Sequence, residues 1–530
     1  MSNAAENLTQ PLISSLQNIV GEDHVKTGEV ECVYYAQDVY SQAAPAAAVV
    51  APADTYQLAA AVKAAVDEGF AVVARGGGMS YTAGYVPAEV NSVLVDMSRM
   101  NRVLEINPED MYVKVEAGTS WQALHEALEG TGLRTPYWGT LSGRYATVGG
   151  GLSQNSIFWG SGRYGTAVDS VISMEVVLAD GRILNTGSAS QQNAPPFFRH
   201  YGPDLTGLFC GDCGALGLKA TATLRLIPQP QFQAFASFAF ERYEDMAPAM
   251  SEISRGSLAS ECFGFDPVLQ AQRMKRESLA SDAKQFVGAL KSAGGVGKAI
   301  RQGAKMAVSG RRFMDDVKWS FHFITEARTQ ASADAALKAA RDIVARNHGR
   351  ELPDSIPRLV RANPFGPVNS MLGPEGERWV PVHGLLPHSA VVETLSKIND
   401  LFARHDAEMK QLGIQAGFLL ATISTHCFVI EPVFFWPDEL MEIHRRSVEP
   451  DHLRRLKRYE QNLPSRQAVA QLRKELLELL ADAGAVHLQI GKSYLYRENL
   501  RPESFALVKA LKRELDPGCR INPGCLGLEP

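Results

Sequence analysis

Three glycine-rich stretches limit what this chain can fold into. The first, Val73-Ala-Arg-Gly-Gly-Gly-Met-Ser80, follows a β-branched run that reads as a strand. Adjacent glycines let a backbone approach an anion closely with several N–H groups turned inward, a geometry that suits a pyrophosphate. The spacing is neither the GxGxxG of a Rossmann turn nor a loop ending in Lys-Ser/Thr, and a plain tight turn uses glycines equally well. The second, Ala146-Thr-Val-Gly-Gly-Gly-Leu-Ser-Gln-Asn155, is followed by Gly160-Ser-Gly-Arg-Tyr-Gly165 and the strand-like SMEVVLADGRIL. The third, Gly207-Leu-Phe-Cys-Gly-Asp-Cys-Gly-Ala-Leu-Gly-Leu218, leads into TATLRLIPQP.

Between these loops, short β-branched runs alternate with helical patterns, as in an α/β or α+β domain. Strands are expected at Ala48–Ala51, Ala71–Ala74, Ser92–Asp96, Met111–Glu116 and Ser173–Leu178. A helix is expected over Thr55–Glu68, capped by Asp54, with Leu58, Ala61, Val62, Ala65 and Val66 at helical spacing. Pro228-Gln-Pro230 marks a boundary, because paired prolines end regular pairing. Beyond it, Ala331–Asn347 and Ala390–Leu412 read as helices, Trp379–His383 and Ala421–Phe435 as strands. The closing DPGCRINPGCLGL forces a run of turns. The domain expectation is 1–44 as an N-terminal extension, 45–229, 230–490, and a C-terminal segment 491–530 returning to the first domain.

At 530 residues the chain has room for two or three domains and a large cofactor. A formal net charge of -5 argues against bulk binding to nucleic acid. The start, MSNAAENLTQ, lacks the features of a secretory signal, and no apolar run reaches the ~20 residues of a membrane span, so a cytoplasmic location is expected. The basic stretch Lys291–Arg312 reads as a solvated surface or mobile loop, with peripheral membrane contact as the bolder reading. Seven scattered cysteines suit reduced thiols. Cys210-Gly-Asp-Cys213 has CxxC spacing without a second pair, so a structural loop is expected and no metal.

Taken in order, RGGGMS, DMSRMNRVLEIN, VEAGTSWQAL, TVGGGL, RYG, MEVVLADG and DLTGLF…GALGLKATATLRL resemble the FAD-binding domain of the vanillyl-alcohol oxidase superfamily, also called PCMH-type. INPGCLG resembles that family's closing turn. The resemblance covers about 45–228. It implies an α+β fold: an FAD domain of two α/β subdomains, a mixed substrate (cap) domain, and a C-terminus returning to the FAD domain. It implies that Arg75, Gly76, Gly77, Gly78, Met79, Ser80 and Gly84 surround the pyrophosphate. Thr147, Val148, Gly149 and Ser153 would line the flavin side, Gly165 and Val171 would sit near the adenine half, Asn522 would approach the isoalloxazine, and Gly150, Asn155 and Gly217 would also contact the cofactor. Some members attach FAD covalently through a histidine where this chain has Met79, and the phenol-oxidising branch can attach it from the second domain. In the other attachment register, Gly376-Glu-Arg-Trp-Val-Pro-Val-His383, no histidine stands at the expected place. Non-covalent FAD is therefore expected.

Taking a hydride from an alcohol requires a substrate anchor and a group for the hydroxyl proton. In Ala485–Leu500, strand alternation would put Tyr494 and Tyr496 on one face with Arg497 following, a set able to hold an anion; the plainer reading makes them core aromatics and a surface arginine. His487 and Gly491 match the GEHGxG motif of glycolate-oxidase and D-lactate-dehydrogenase types, but Val486 replaces its acidic metal ligand. RWVPVHG stands where GHxGDGNxH is usual. Tyr496-Arg497 resembles the phenolate-holding pair of the phenol-oxidising branch, but Asn155-Ser-Ile-Phe-Trp159 lacks that branch's acid. His487, His383 and His426 are the base candidates, and Lys492 could stabilise charge. The expectation is an FAD-dependent oxidoreductase of a small anionic alcohol, leaning to a D-2-hydroxy acid without a metal. The alternatives are para-substituted phenols, a non-catalytic FAD scaffold and a redox-neutral alkyl transfer. The partners expected are a small-molecule substrate, an electron acceptor (O2, a quinone or a cytochrome) and, optionally, a second copy in a homodimer.

Overall fold

The computed structural model describes residues 2–276 and 317–529, so the basic stretch Lys291–Arg312 lies outside the described residues. The chain divides into two compact units. The first comprises Met1–Ile157, Thr166–Gln229 and His487–Pro530; the second comprises Phe158–Gly165 and Pro230–Val486. The chain thus leaves the first unit between the two prolines of Pro228-Gln-Pro230, and re-enters it at His487 rather than at 491.

In the first unit, β1 (Val25–Lys26), β2 (Ala48–Val50), β3 (Ala71–Arg75) and β4 (Ser92–Asp96) form a sheet in the order β1-β2-β4-β3. β2, β4 and β3 run parallel, and β1 joins antiparallel, with Val25 opposite Val50. The stretch expected as an N-terminal extension is therefore built into this unit. Its helix α1 (Ser2–Val20) buries Leu12, Leu16 and Val20 among Leu58, Ala61 and Val62 of α3 (Thr55–Asp67), while α2 (Glu29–Tyr35) follows β1. Asp54 caps α3, accepting the N–H groups of Tyr56 and Gln57 at 2.9 Å each.

Next come β5 (Val103–Asn107), β6 (Tyr112–Glu116), β7 (Leu133–Arg134), β8 (Val171–Val177), β9 (Ile183–Asn185), β10 (Leu218–Arg225) and β11 (Ile227–Pro228). Five of them form an antiparallel sheet in the order β5-β6-β10-β8-β9, and β7 pairs with β11. α4 (Trp121–Leu128) and α5 (Val148–Gln154) lie between β6 and β8 in sequence. The parallel sheet gains a further pairing from the closing turn. Val72 donates to the Arg520 carbonyl at 2.8 Å and accepts from the Asn522 N–H at 2.9 Å, on the edge of β3 that no other strand covers.

The second unit is built on β12 (Phe232–Phe240), β13 (Glu261–Phe265), β14 (Trp319–Ala327), β15 (Arg350–Leu352), β16 (Arg378–Pro381), β17 (Gly384–Leu386), β18 (Gln415–Ile423) and β19 (Cys427–Trp436). The sheet order is β15-β12-β14-β13-β18-β19-β16, with β17 also on β19, all antiparallel. Helices 243–255, 330–346, 391–412 and 463–482 pack on it. The strand expected over Ala421–Phe435 is instead a hairpin of β18 and β19. Apolar alternation continues through both arms and hides the reversal at Ser424, whose φ is +50°.

Asp266, buried just after β13, accepts the N–H groups of Leu269 and Phe418 at 2.9 Å each. Burial outweighs these bonds and pushes its carboxyl up to about 6, from the 3.8 of an ordinary aspartate. Between those two values the folded chain binds more protons than the unfolded one, so stability falls as pH rises through this window. Urea midpoints measured across it should decline with pH, and Asp266→Asn should flatten that decline. An equal slope in the variant would remove Asp266 as its source.

Candidate cofactor-binding site

The first glycine loop leaves the end of β3, where Arg75 is buried. A Cβ on Gly77 would stand 1.8 Å from the Tyr145 carbonyl oxygen, and one on Gly76 2.4 Å from Thr147 Oγ1. The first and second glycine loops therefore lie backbone against backbone with no room for a side chain between them. Gly78 turns the loop with φ at +72°, in the left-handed region that costs glycine least. Among the described residues, none accepts the backbone N–H groups of Gly77, Gly78, Met79 or Ser80. Successive free N–H groups in such a turn form an anion-binding concavity.

The second loop uses its amides differently. Thr147 caps α5, accepting from the Gly150 N–H at 3.1 Å, while Val148 and Gly149 donate to Thr119 and Ala117 at 2.8 Å each. Gly149 packs its backbone on Ala117, where a Cβ would approach to 2.6 Å. The first turn of α5 is thus internally satisfied, and the free donors belong to the first loop. Ser153 accepts from the Cys213 N–H at 2.9 Å, and Asn155 ends α5 with φ at +50°.

The remaining segments of the unit converge on Gly84. The Asn522 side chain donates to the Gly84 and Cys213 carbonyls at 2.7 and 2.8 Å and accepts from Lys492 at 2.7 Å. Lys492 also donates to Val86 at 2.9 Å. Gln489 donates through its backbone to Gln154 and through its side chain to Tyr81, and Gly491 donates to the Cys213 sulfur at 3.1 Å. Ala83, Asn155, Cys213, Gln489 and Asn522, none of them glycine, all sit in the left-handed region. Such costly conformations persist where the surroundings over-determine them. Next to Cys213, Asp212 forms an ion pair with Lys219 at 2.6 Å, both side chains 2% exposed.

This geometry revises several sequence expectations. Asn522 has its amide committed to three protein partners, and Lys492 is an anchor of the same knot. Tyr494 and Tyr496 share no strand face. Left-handed Gln489 and Gly491 break the expected strand, and Tyr496 opens a one-turn helix, Tyr496–Asn499. Tyr494 is buried with its ring against His487, centroids 4.3 Å apart. Arg497 is half-exposed, stacks its stem on Gly527 and faces Glu529 at 3.7 Å. Arg497 therefore leaves the expected anion-holding set. Of the other base candidates, His426 is exposed at the β18–β19 turn and His383 is buried beside β16, both in the second unit, which also contains Gly165. Val171 opens β8, and Gly217 lies against Val176, where a Cβ would come within 2.6 Å. Cys210 donates to the Thr206 carbonyl, and no group of three or more His, Cys, Asp or Glu among the described residues is placed to hold a metal ion.

Two further clusters went unnoticed in the sequence. Arg75 carries its guanidinium 4.6 Å from the ring centres of both Tyr34 and Tyr35 and 5.5 Å from Tyr85, and Tyr35 donates to Asp96 at 2.5 Å. In the second unit, Arg361 bridges the buried carboxylates of Glu326 and Glu261, while His322 is bonded to Ser237 at 2.9 Å between Phe263 and Phe265. The alternation in WSFHFITEA carried a signal for His322 and Glu326, which share one strand face. The tyrosine cage had none, because Tyr34 and Tyr35 lie far from Arg75 in sequence.

Residues 46–187 match the FAD binding domain family. The chain carries an FAD-binding domain, and its fold is that of the vanillyl-alcohol-oxidase, or PCMH-type, flavoproteins. It is 32% identical over 206 residues to the glycolate oxidase subunit GlcD of Bacillus subtilis, covering 39% of this chain and 42% of that protein. It is 28% identical over 212 residues to D-lactate dehydrogenase (cytochrome) 1, mitochondrial, of Saccharomyces cerevisiae, covering 40% and 35%. The match spans less than half the length of either relative. A solved structure of 4-ethylphenol oxidase from Gulosibacter chungangensis, an isoeugenol complex, has the same fold with a TM-score of 0.74 at 18% identity, covering 99% of this chain and 98% of that one. No described helix is long and apolar enough to cross a membrane.

The cradle fits FAD, since an extended pyrophosphate needs converging N–H donors and a backbone free of side chains. Gly77→Ala should lower the FAD content of the purified protein by roughly tenfold or more, as its Cβ drives the two loops apart. Gly28→Ala, whose Cβ meets nothing within 4 Å, should retain FAD. Flavin absorbance per protein checks both, and full retention by Gly77→Ala would rule out the close approach as a requirement.

Proposed function

We propose that this chain is an FAD-dependent oxidoreductase that takes a hydride from the CH–OH carbon of a small organic anion, with a D-2-hydroxy acid as the preferred class. The carrying observation is the row of N–H groups from Gly77 to Ser80, without an acceptor among the described residues and held against the second glycine loop. The sequence likeness to a glycolate oxidase subunit and a D-lactate dehydrogenase supports the substrate class. Gly77, Gly78, Met79 and Ser80 would hold the pyrophosphate. With Met79 where other members carry an attaching histidine, the FAD is held non-covalently. Bound FAD supplies a two-electron acceptor; the protein must position the substrate and take its hydroxyl proton.

His487 is the proposed proton acceptor. Its imidazole is half-buried, and the Tyr494 ring fixes its orientation. It enters the first unit two residues before Gln489, which is bonded to Gln154 at the end of α5, so the second glycine loop and His487 are held in one frame. Arg497, paired with Glu529, is left out of the substrate anchor, which weakens the phenol reading built on Tyr496-Arg497. The acceptor that reoxidises the flavin is O2, a quinone or a cytochrome.

Anaerobic mixing with D-2-hydroxy acids and with 4-alkylphenols tests this. The expected result is flavin bleaching by a hydroxy acid, with His487→Ala slowing it by about 10²–10⁴-fold at unchanged FAD content. Bleaching by alkylphenols alone would replace the substrate class, and bleaching by neither would leave a non-catalytic FAD scaffold.

A further inference from the structure

The N-terminal turn at residues 36–43 grips the first glycine loop at two points. Val39 donates its N–H to the Ser80 carbonyl at 3.1 Å, and the Asp38 carboxylate accepts the Ala83 N–H on Oδ2 at 2.6 Å. The other carboxylate oxygen is occupied by its own turn, accepting from the Tyr40 N–H at 2.9 Å, the Ser41 N–H at 2.5 Å and the Ser41 hydroxyl at 2.8 Å. Asp38 is fully buried, and among the described residues these groups are the donors it accepts from. Ala83 sits at φ +56°, which an alanine adopts only at a cost. One residue later, the Gly84 carbonyl accepts from the Asn522 side chain at 2.7 Å and from the Cys525 thiol at 3.4 Å. Between the two grips lies the exit of the loop whose N–H groups remain free.

We infer that Asp38 is a positioning residue for the cofactor loop: its carboxylate holds Ala83 left-handed and so presents the Gly77–Ser80 amides to a pyrophosphate. It touches no cofactor atom itself. A fully buried carboxyl oxygen suits the task, because its bond to the Ala83 N–H faces no competing water and offsets a strained backbone. The role rests on reading the loop as the FAD cradle.

The test uses the full chain, stripped of flavin and titrated with FAD. Asp38→Asn keeps the shape but has one oxygen where both the turn and the Ala83 N–H need an acceptor, and should weaken FAD binding by roughly ten- to a hundredfold. Adding Ala83→Gly should recover most of that affinity, since glycine holds the same φ unaided, while the urea midpoint lost with the Asp38 turn stays low. A merely structural role would tie affinity to the midpoint, and Ala83→Gly would restore neither. If Asp38→Asn does not fold, Ser41→Ala removes one donor to the same carboxylate, and a roughly two- to fivefold loss of affinity is expected. Parent affinity in Asp38→Asn or in a folded Ser41→Ala, or a loss that Ala83→Gly leaves unchanged, overturns the assignment. A parent chain that takes up no FAD overturns the cradle reading, and this role with it.

Discussion

The absence of a side chain at Gly77 is the constraint on which the first unit depends. With 1.8 Å between a Cβ there and the Tyr145 carbonyl oxygen, the loop after β3 and the loop before α5 can meet only as bare backbone. Behind that contact, the parallel sheet of β2, β4 and β3 and the antiparallel sheet that follows share one apolar core, with Val72, Val93 and Val95 packed with Val177, Leu218 and Ala220. The contact also leaves the N–H groups of Gly77–Ser80 without an acceptor among the described residues, which is what an anionic cofactor requires. The second loop looks equivalent in sequence but is not. Its amides are consumed by Thr119, Ala117 and the Thr147 cap, so its glycines serve close packing.

Around this contact the unit is closed by segments from both ends of the chain. The return segment and closing turn meet the first loop at Gly84 through Asn522, Lys492 and Gln489, and the N-terminal turn meets it at Ser80 and Ala83. Several of these residues are left-handed without being glycine, a cost that many simultaneous hydrogen bonds offset. The buried ion pair of Asp212 and Lys219 has the same logic. It stabilises little against an apolar alternative, yet removing one partner would strand a buried charge.

Local pattern made much of this legible. The strands β2, β3, β4, β6 and β8 and the helix capped by Asp54 announce themselves by β-branched runs, helical spacing and a capping residue. The loops announce themselves by glycine, and their order carried the family resemblance to the FAD-binding fold. The pattern failed where a periodicity persisted through a reversal, as at Ser424. It failed again where a left-handed residue broke a promising alternation, as at Gln489 and Gly491. Tyr494, Tyr496 and Arg497 looked like one anion-holding face; the break sent Tyr494 onto His487 and Arg497 toward Glu529.

The amino-acid sequence by itself determined the α+β class, the glycine loops and the FAD-binding domain, because these rest on short-range spacing and on residue types with few conformational equivalents. Only the tertiary structure decided which glycine loop keeps free donors, that Asn522 and Lys492 tie the knot, and that Asp38 and the Tyr34–Tyr35 pair brace the loop at Arg75 and Ala83. Those assignments depend on contacts between residues tens to hundreds of positions apart, and a carboxylate or an amide carries no mark of its distant partner until the chain has folded.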